Sequence, residues 1–170
     1  MVIVYKSNTG FTKAYAELLS RVERMELLEL SQAKSKGLKR ETDVFYMGPL
    51  MAGHIGGIDQ AVKCFEVKGA CGVGMSPPGE KVLLDLSRAN YMPDGPIFYL
   101  QGGYAPEKVG WLKRRMVNAA TKSIRESLLE KGSRRTPEEQ AQLDLLLKGG
   151  SFVAEENLDP IRNWMKERGR

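Results

Sequence analysis

Ser7, Asn8, Thr9, Gly10 and Thr12 lie within six residues, with Phe11 the only bulky side chain and no acidic one among them. Hydroxyls and an amide spaced this way can hydrogen-bond a small anion. The stretch also sits where a short apolar run, Val2–Tyr5, gives way to a helical pattern from Thr12 to Val22. The first amides of a helix lack intrahelical partners and carry a partial positive charge, so a phosphate can be held there without lysine or arginine. Gly10 would let the backbone approach the ligand closely. The same residues can instead end a strand and cap a helix, and the spacing alone leaves both readings open. Neither GxxxxGK[ST] nor GxGxxG follows the first strand, which excludes the two commonest nucleotide loops.

Few other residues offer chemistry. His54 is the only histidine, a candidate proton donor or simply a solvent-facing loop residue, and with Cys64 and Cys71 it cannot complete a four-ligand zinc site. The two cysteines fall on the inner side of a helix and in a strand, where packing is the simplest role, and no metal site is expected. Trp111 and Trp164 lie in helical patterns and are expected to pack.

Positioning the loop requires a sheet. Apolar runs at Val2–Tyr5, Met25–Leu30, Val44–Met47, Cys71–Met75 and Pro96–Leu100 read as five strands. Helical patterns at Thr12–Val22, Gly57–Val67 and Glu80–Asn90 lie between them, while Ser31–Thr42 reads as a loop or a degenerate short helix. Gly48-Pro49, Ser76-Pro77-Pro78-Gly79 and Gly102-Gly103 punctuate the strand ends. Alternating strands and helices predict an α/β fold, a doubly wound parallel sheet with helices on both faces.

The last third changes character. Pro106 opens a long helix whose Val109, Leu112, Met116, Ala120, Ile124 and Leu128 form a stripe, with Lys113, Arg114, Arg115, Lys122 and Arg125 on other faces. Thr136-Pro137-Glu138-Glu139 spells a capping box for a second helix that ends at Gly149-Gly150, and Asp159-Pro160 opens the final one, with Ile161, Trp164 and Met165 inward. These features predict one domain over residues 1–170 with a helical insertion at about 104–150. At 170 residues the chain can bury a core without disulfides or metals. A pI near 9.2 and a net charge of +5 allow an acidic partner. Nucleic-acid binding is not expected, because no aromatic-interleaved basic motif occurs. Two reduced cysteines and the lack of a signal sequence or an apolar run of membrane-spanning length predict a cytoplasmic chain, at most peripheral to a membrane.

Ser7-Asn8-Thr9-Gly10-Phe11-Thr12 resembles the [ST]-x-T-G-x-T phosphate loop of the flavodoxins, and the strand–helix order of residues 1–105 agrees with that family's core. The resemblance implies a five-stranded sheet of order 2-1-3-4-5 and FMN as cofactor, its phosphate on Ser7–Thr12. It also implies two ring-contacting loops, Pro49, Leu50, Met51, Ala52, Gly53 and His54 after the third strand and Ser76, Pro77, Pro78 and Gly79 after the fourth. Backbone groups of Gly48–Gly53 would then tune the flavin by hydrogen bonding. Neither loop supplies the usual stacking Trp or Tyr, leaving Leu50, Met51, His54 and Tyr104 as cover. Gly53-His54, the run Phe98–Gly103 and the basic helix resemble the branch containing menaquinone-dependent protoporphyrinogen oxidase. That branch implies an FMN-dependent oxidoreductase with a quinone or protein redox partner, and a basic helix that could meet an anionic membrane surface. The alternative is a flavodoxin-like interaction protein without FMN.

Overall fold

The computed structural model describes residues 1–90, 92, 95–105, 108 and 110–168, apart from the side chains of Lys113, Met116, Val117 and Ala120. Pro106 and Val109 at the start of the expected stripe, and the side chains of Met116, Ala120 and Lys113, therefore lie outside the described residues.

Strands β1 (Val2–Tyr5), β2 (Leu27–Glu29), β3 (Asp43–Met51), β5 (Glu66–Gly74) and β6 (Ile97–Gln101) form the parallel part of a sheet ordered β2-β1-β3-β5-β6. A sixth strand, β4 (His54–Ile55), folds back antiparallel on the end of β3. Central strands carry unbroken apolar runs because both faces are covered. Val4, Val44, Tyr46 and Ala70 meet helices α2 (Leu30–Ser35), α3 (Ile58–Cys64) and α4 (Glu80–Ala89) on one face through Ala33, Ala61 and Leu86. On the other face Ile3, Phe45, Met47 and Cys71 meet α1 (Phe11–Glu23) and α7 (Asp159–Arg168). Helix α1 buries Thr12, Tyr15, Ala16 and Leu19, the i, i+3, i+4, i+7 pattern of a single apolar face. Each Leu or Ile so buried contributes roughly 1.5–3 kcal/mol of transfer free energy.

Two strands run longer than their apolar cores suggested. β3 continues through Gly48-Pro49, pairing Gly48 with Gly72 and Pro49 with Val73, before the hairpin to β4. β5 begins at Glu66, so the helix expected over Gly57–Val67 ends at Cys64 instead. The i, i+3, i+4 spacing of Ile58, Ala61 and Val62 is helical, but Phe65 and Val67 belong to the extended chain, and side-chain pattern alone cannot separate them.

Beyond the sheet, β7 (Gly103–Tyr104) and β8 (Gly150–Ser151) pair antiparallel. They form the base of a helical hairpin made of α5 (Trp111–Glu130) and α6 (Pro137–Lys148). The capping box at the start of α6 is observed: Glu139 N donates to Thr136 Oγ1 at 3.2 Å and Thr136 N to Glu139 Oε2 at 3.1 Å. Trp164 packs as expected, its ring 5.6 Å from Phe45 and 5.8 Å from Phe98. Trp111 does not: it is 73% exposed, because α5 stands on α6 and leaves this side to solvent.

Candidate functional site

β1 ends at Tyr5, and the Lys6 amide makes the last ladder bond, to Met47 O at 3.0 Å. The chain then turns through Ser7–Gly10 into α1. Gly10 sits at φ 95°, a conformation that strains any L side chain, with open space where a Cβ would be. Its amide donates to Ser7 Oγ at 3.1 Å. That hydroxyl keeps its own proton for another acceptor. Ser7 thus shapes the turn, and neither it nor Thr9 caps α1, whose first turn carries no acidic residue. Among the described residues, the amides of Asn8, Thr9, Phe11 and Thr12 have no protein acceptor. The helix end is open and electropositive.

It opens onto a cavity of about 400 Å³ at the carboxyl edge of the sheet. One wall is the loop itself, through Asn8, Thr9, Phe11 and Thr12. Pro49, Leu50 and Met51 of β3 form a second, and Val73, Gly74 and Met75 at the end of β5 a third. The fourth runs from Gly102 through Ala105 and on to Lys108 and Gly110. Two contacts hold these walls together: Asn8 Nδ2 reaches Met51 Sδ at 3.4 Å, and Gly102 N donates to Gly74 O at 2.8 Å. Phe11 lies so close to the fourth wall that a Cβ on Gly103 (φ 157°) would sit 2.8 Å from its ring.

The β3–β4 hairpin turns at Ala52 (φ 48°) and Gly53 (φ 84°), the two positive-φ positions of a tight hairpin. Buried Asn90 anchors it. Its Oδ1 accepts from Ile55 N at 2.7 Å, and its Nδ2 lies 2.8 Å from Gly53 O and 2.7 Å from Leu86 O. Pro49 O is likewise taken, by Gly56 N at 2.8 Å. The carbonyls of Pro49 and Gly53 are therefore engaged within the protein.

Of the residues singled out in the sequence, Asn8, Thr9, Phe11, Thr12, Pro49, Leu50 and Met51 come together around the cavity, with Ser7 and Gly10 shaping the turn behind them. Ala52, Gly53 and His54 do not line it, and His54 is exposed on β4. Ser76, Pro77, Pro78 and Gly79 also lie outside its lining. Ser76 O accepts from Tyr99 Oη at 2.7 Å, and Pro78 borders a separate groove beside the edge strand β6. Sequence reasoning missed the wall at Gly102, Gly103, Ala105 and Lys108, which Gly102-Gly103 at a strand end could have signalled, and the strand end Val73–Met75.

No acidic side chain lines the cavity among the described residues, and Lys108 is the only charged one. Burial pushes the Cys71 thiol up, which keeps it a packing residue rather than a nucleophile. Among the described residues no three His, Cys, Asp or Glu side chains converge on a metal site. The site thus joins a neutral, amide-rich anion cradle to an apolar slot of Leu50, Met51, Val73, Met75 and Tyr104. A flat ring carrying a phosphate matches both parts. Compared with known proteins, the chain matches no family model, and no curated protein matches it.

Proposed function

We propose that this chain is an FMN-binding flavoprotein of the flavodoxin type, its phosphate held by Ser7–Thr12 and its ring facing Pro49–Met51 and Val73–Met75. The observation that carries this reading is the uncapped start of α1, whose unpaired amides open into the cavity. The parallel strands support it as well. Their order across the sheet is β2-β1-β3-β5-β6, and open α/β sheets bind ligands at the carboxyl edge where such an order reverses.

Bound there, FMN would supply one- and two-electron transfer. The protein's share is to hold the phosphate by main-chain dipoles and hydroxyls, to keep water from the apolar slot, and to leave one edge open to a redox partner protein or a quinone. A basic chain suits an oxidoreductase of the protoporphyrinogen-oxidase-like branch better than an acidic electron carrier.

Titration of the apoprotein with FMN and with riboflavin tests the reading. FMN is expected to bind at least about tenfold more tightly, since hydrogen bonds to a charged group contribute about 1.5–3 kcal/mol each. Thr9→Ala with Thr12→Ala should remove most of that preference while leaving the unfolding transition cooperative. Equal affinity of the wild type for both ligands sinks it. The second reading, an interaction protein on the same fold without FMN, is favoured by Met51, which is 55% exposed at the cavity rim with no Trp or Tyr of either expected ring loop over it. An absence of any flavin spectral change on adding FMN would decide for that reading.

A further inference from the structure

Two walls of the cavity carry a methionine, Met51 at the end of β3 and Met75 just past β5. They differ in their access to solvent. Met51 is 55% exposed and Met75 half-buried, while Met47 and Met165 are buried in the core. An oxidant in solution must reach the sulfur, so Met51 is the reactive thioether of this site. Met1 is exposed as well, but it precedes β1 and so stands at the opposite, amino end of the parallel strands.

Met51 is also tied to the turn that leads into α1. Asn8 Nδ2 donates to its sulfur at 3.4 Å, which joins the first wall of the cavity to the second. A thioether is a weak acceptor, so this bond holds the two walls loosely. The backbone behind it is fixed by the hairpin turn at Ala52 and Gly53, whereas the Met51 side chain keeps three rotatable bonds. Asn8 engages one lone pair of the sulfur and leaves the other for reaction.

We infer that Met51 is a redox-sensitive modification site, at which a hydroperoxide converts the thioether to the sulfoxide and so latches the Ser7–Gly10 turn to the β3–β4 hairpin across the mouth of the cavity. The free lone pair attacks one peroxide oxygen, and the S–O bond forms as the O–O bond breaks. That oxygen's proton passes to the departing hydroxide, which leaves as water; sulfur gives up two electrons and the peroxide takes them. The product oxygen is a far stronger acceptor than sulfur, so the Asn8 amide holds it more firmly. Rotation about the flexible Met51 bonds turns that oxygen to Asn8. It also sets a polar atom beside Leu50 in the apolar slot. Oxidation thus draws the rim inward and makes the slot less hospitable to an apolar ligand. Reduction by a methionine sulfoxide reductase reopens the latch. The inference needs only the cavity and its rim, and does not depend on FMN.

The test treats the full chain with hydrogen peroxide and reads it without any flavin. Peptide mass spectrometry should show Met51 gaining one oxygen at least about tenfold faster than buried Met47. In NMR spectra the side-chain amide pair of Asn8 should move downfield as that oxygen is gained. Broadening of the Thr9, Phe11 and Thr12 backbone amides by a soluble nitroxide should fall about twofold or more. A methionine sulfoxide reductase should reverse both spectral changes. Met51→Leu should fold with an unchanged unfolding midpoint and show neither change, which separates the effect from oxidation at Met1 or Met75. Asn8→Ala should still gain oxygen at Met51, with no fall in broadening. Oxidation of Met51 no faster than of Met47 overturns the inference. So does an oxidised Met51 that leaves the Asn8 pair and the broadening as they were, or the same spectral changes in Met51→Leu.

Discussion

Asn90 ties the β3–β4 hairpin to the end of α4, and Tyr15 ties α1 to Gln101 at the end of β6 and Phe152 just past β8, each with a single buried polar group. Asn90→Ala would leave Ile55 N and Gly53 O without partners at the base of the β3–β4 hairpin. We expect a loss of about 2–3 kcal/mol in urea unfolding and, under the proposed function, weaker FMN binding as Leu50 and Met51 lose their backing. Tyr15 Oη lies between Gln101 O (2.8 Å) and Phe152 O (2.9 Å), its one proton serving either, and accepts from Asn157 Nδ2 at 2.8 Å. Tyr15→Phe should cost about 1–2 kcal/mol by the same measurement. Neither role was legible in the sequence. Asn90 reads as a helix end and Tyr15 as one more apolar position, because their partners lie 35 and 86 or more residues away. The open turn at Ser7–Thr12 was legible because its signal is local, six neighbours and one helix start.

At the scale of elements, what could be read depended on whether local signals agreed. The capping box of α6 involves only Thr136 and Glu139, three residues apart, and is found as read. Thr136→Ala should cost about 1 kcal/mol, seen as faster amide hydrogen exchange in α6 with the central strands unaffected. The hairpin to β4 was not legible, since Gly48-Pro49 reads as a stop. The strand runs on because Gly48 is packed so tightly that a Cβ would lie 2.6 Å from Ile55, and proline at Pro49 needs no ladder donor. Gly103 lies at φ 157° with Gly150 O 2.2 Å from its would-be Cβ. Gly103→Ala is therefore expected to unpair β7 from β8 and, under the proposed function, to reduce FMN affinity, while the parallel strands keep their exchange protection.

For the molecule as a whole, the buried hydroxyls and thiol set the response to alkali. Burial raises Tyr15, Tyr46 and Tyr99 above the ordinary tyrosine value of 10.0, and Cys71 above 9.0. An acid whose folded pKa is raised keeps its proton in the native state after the unfolded chain has lost it. The stabilisation is whole below pH 9, and it falls as pH climbs through 9 and 10 and beyond. Urea midpoints should accordingly be level up to about pH 9 and drop above it, and Tyr46→Phe should flatten that drop. The layered α/β architecture was readable from the alternation of apolar runs because burial on both faces imposes it. The exposure of Trp111 was not, since a helical stripe shows which side chains align and leaves open what, if anything, they face.

The β7–β8 ribbon has a further consequence. It brings residues 103 and 151 side by side, so the polypeptide departs from the sheet and rejoins it at almost one point. A short glycine-rich splice in place of residues 105–149 is therefore expected to span the gap, and a single cooperative unfolding transition of the shortened chain would check that the sheet and its two helical layers fold without that segment. Such a shortened chain would keep the open start of α1 while shedding ten basic and six acidic side chains.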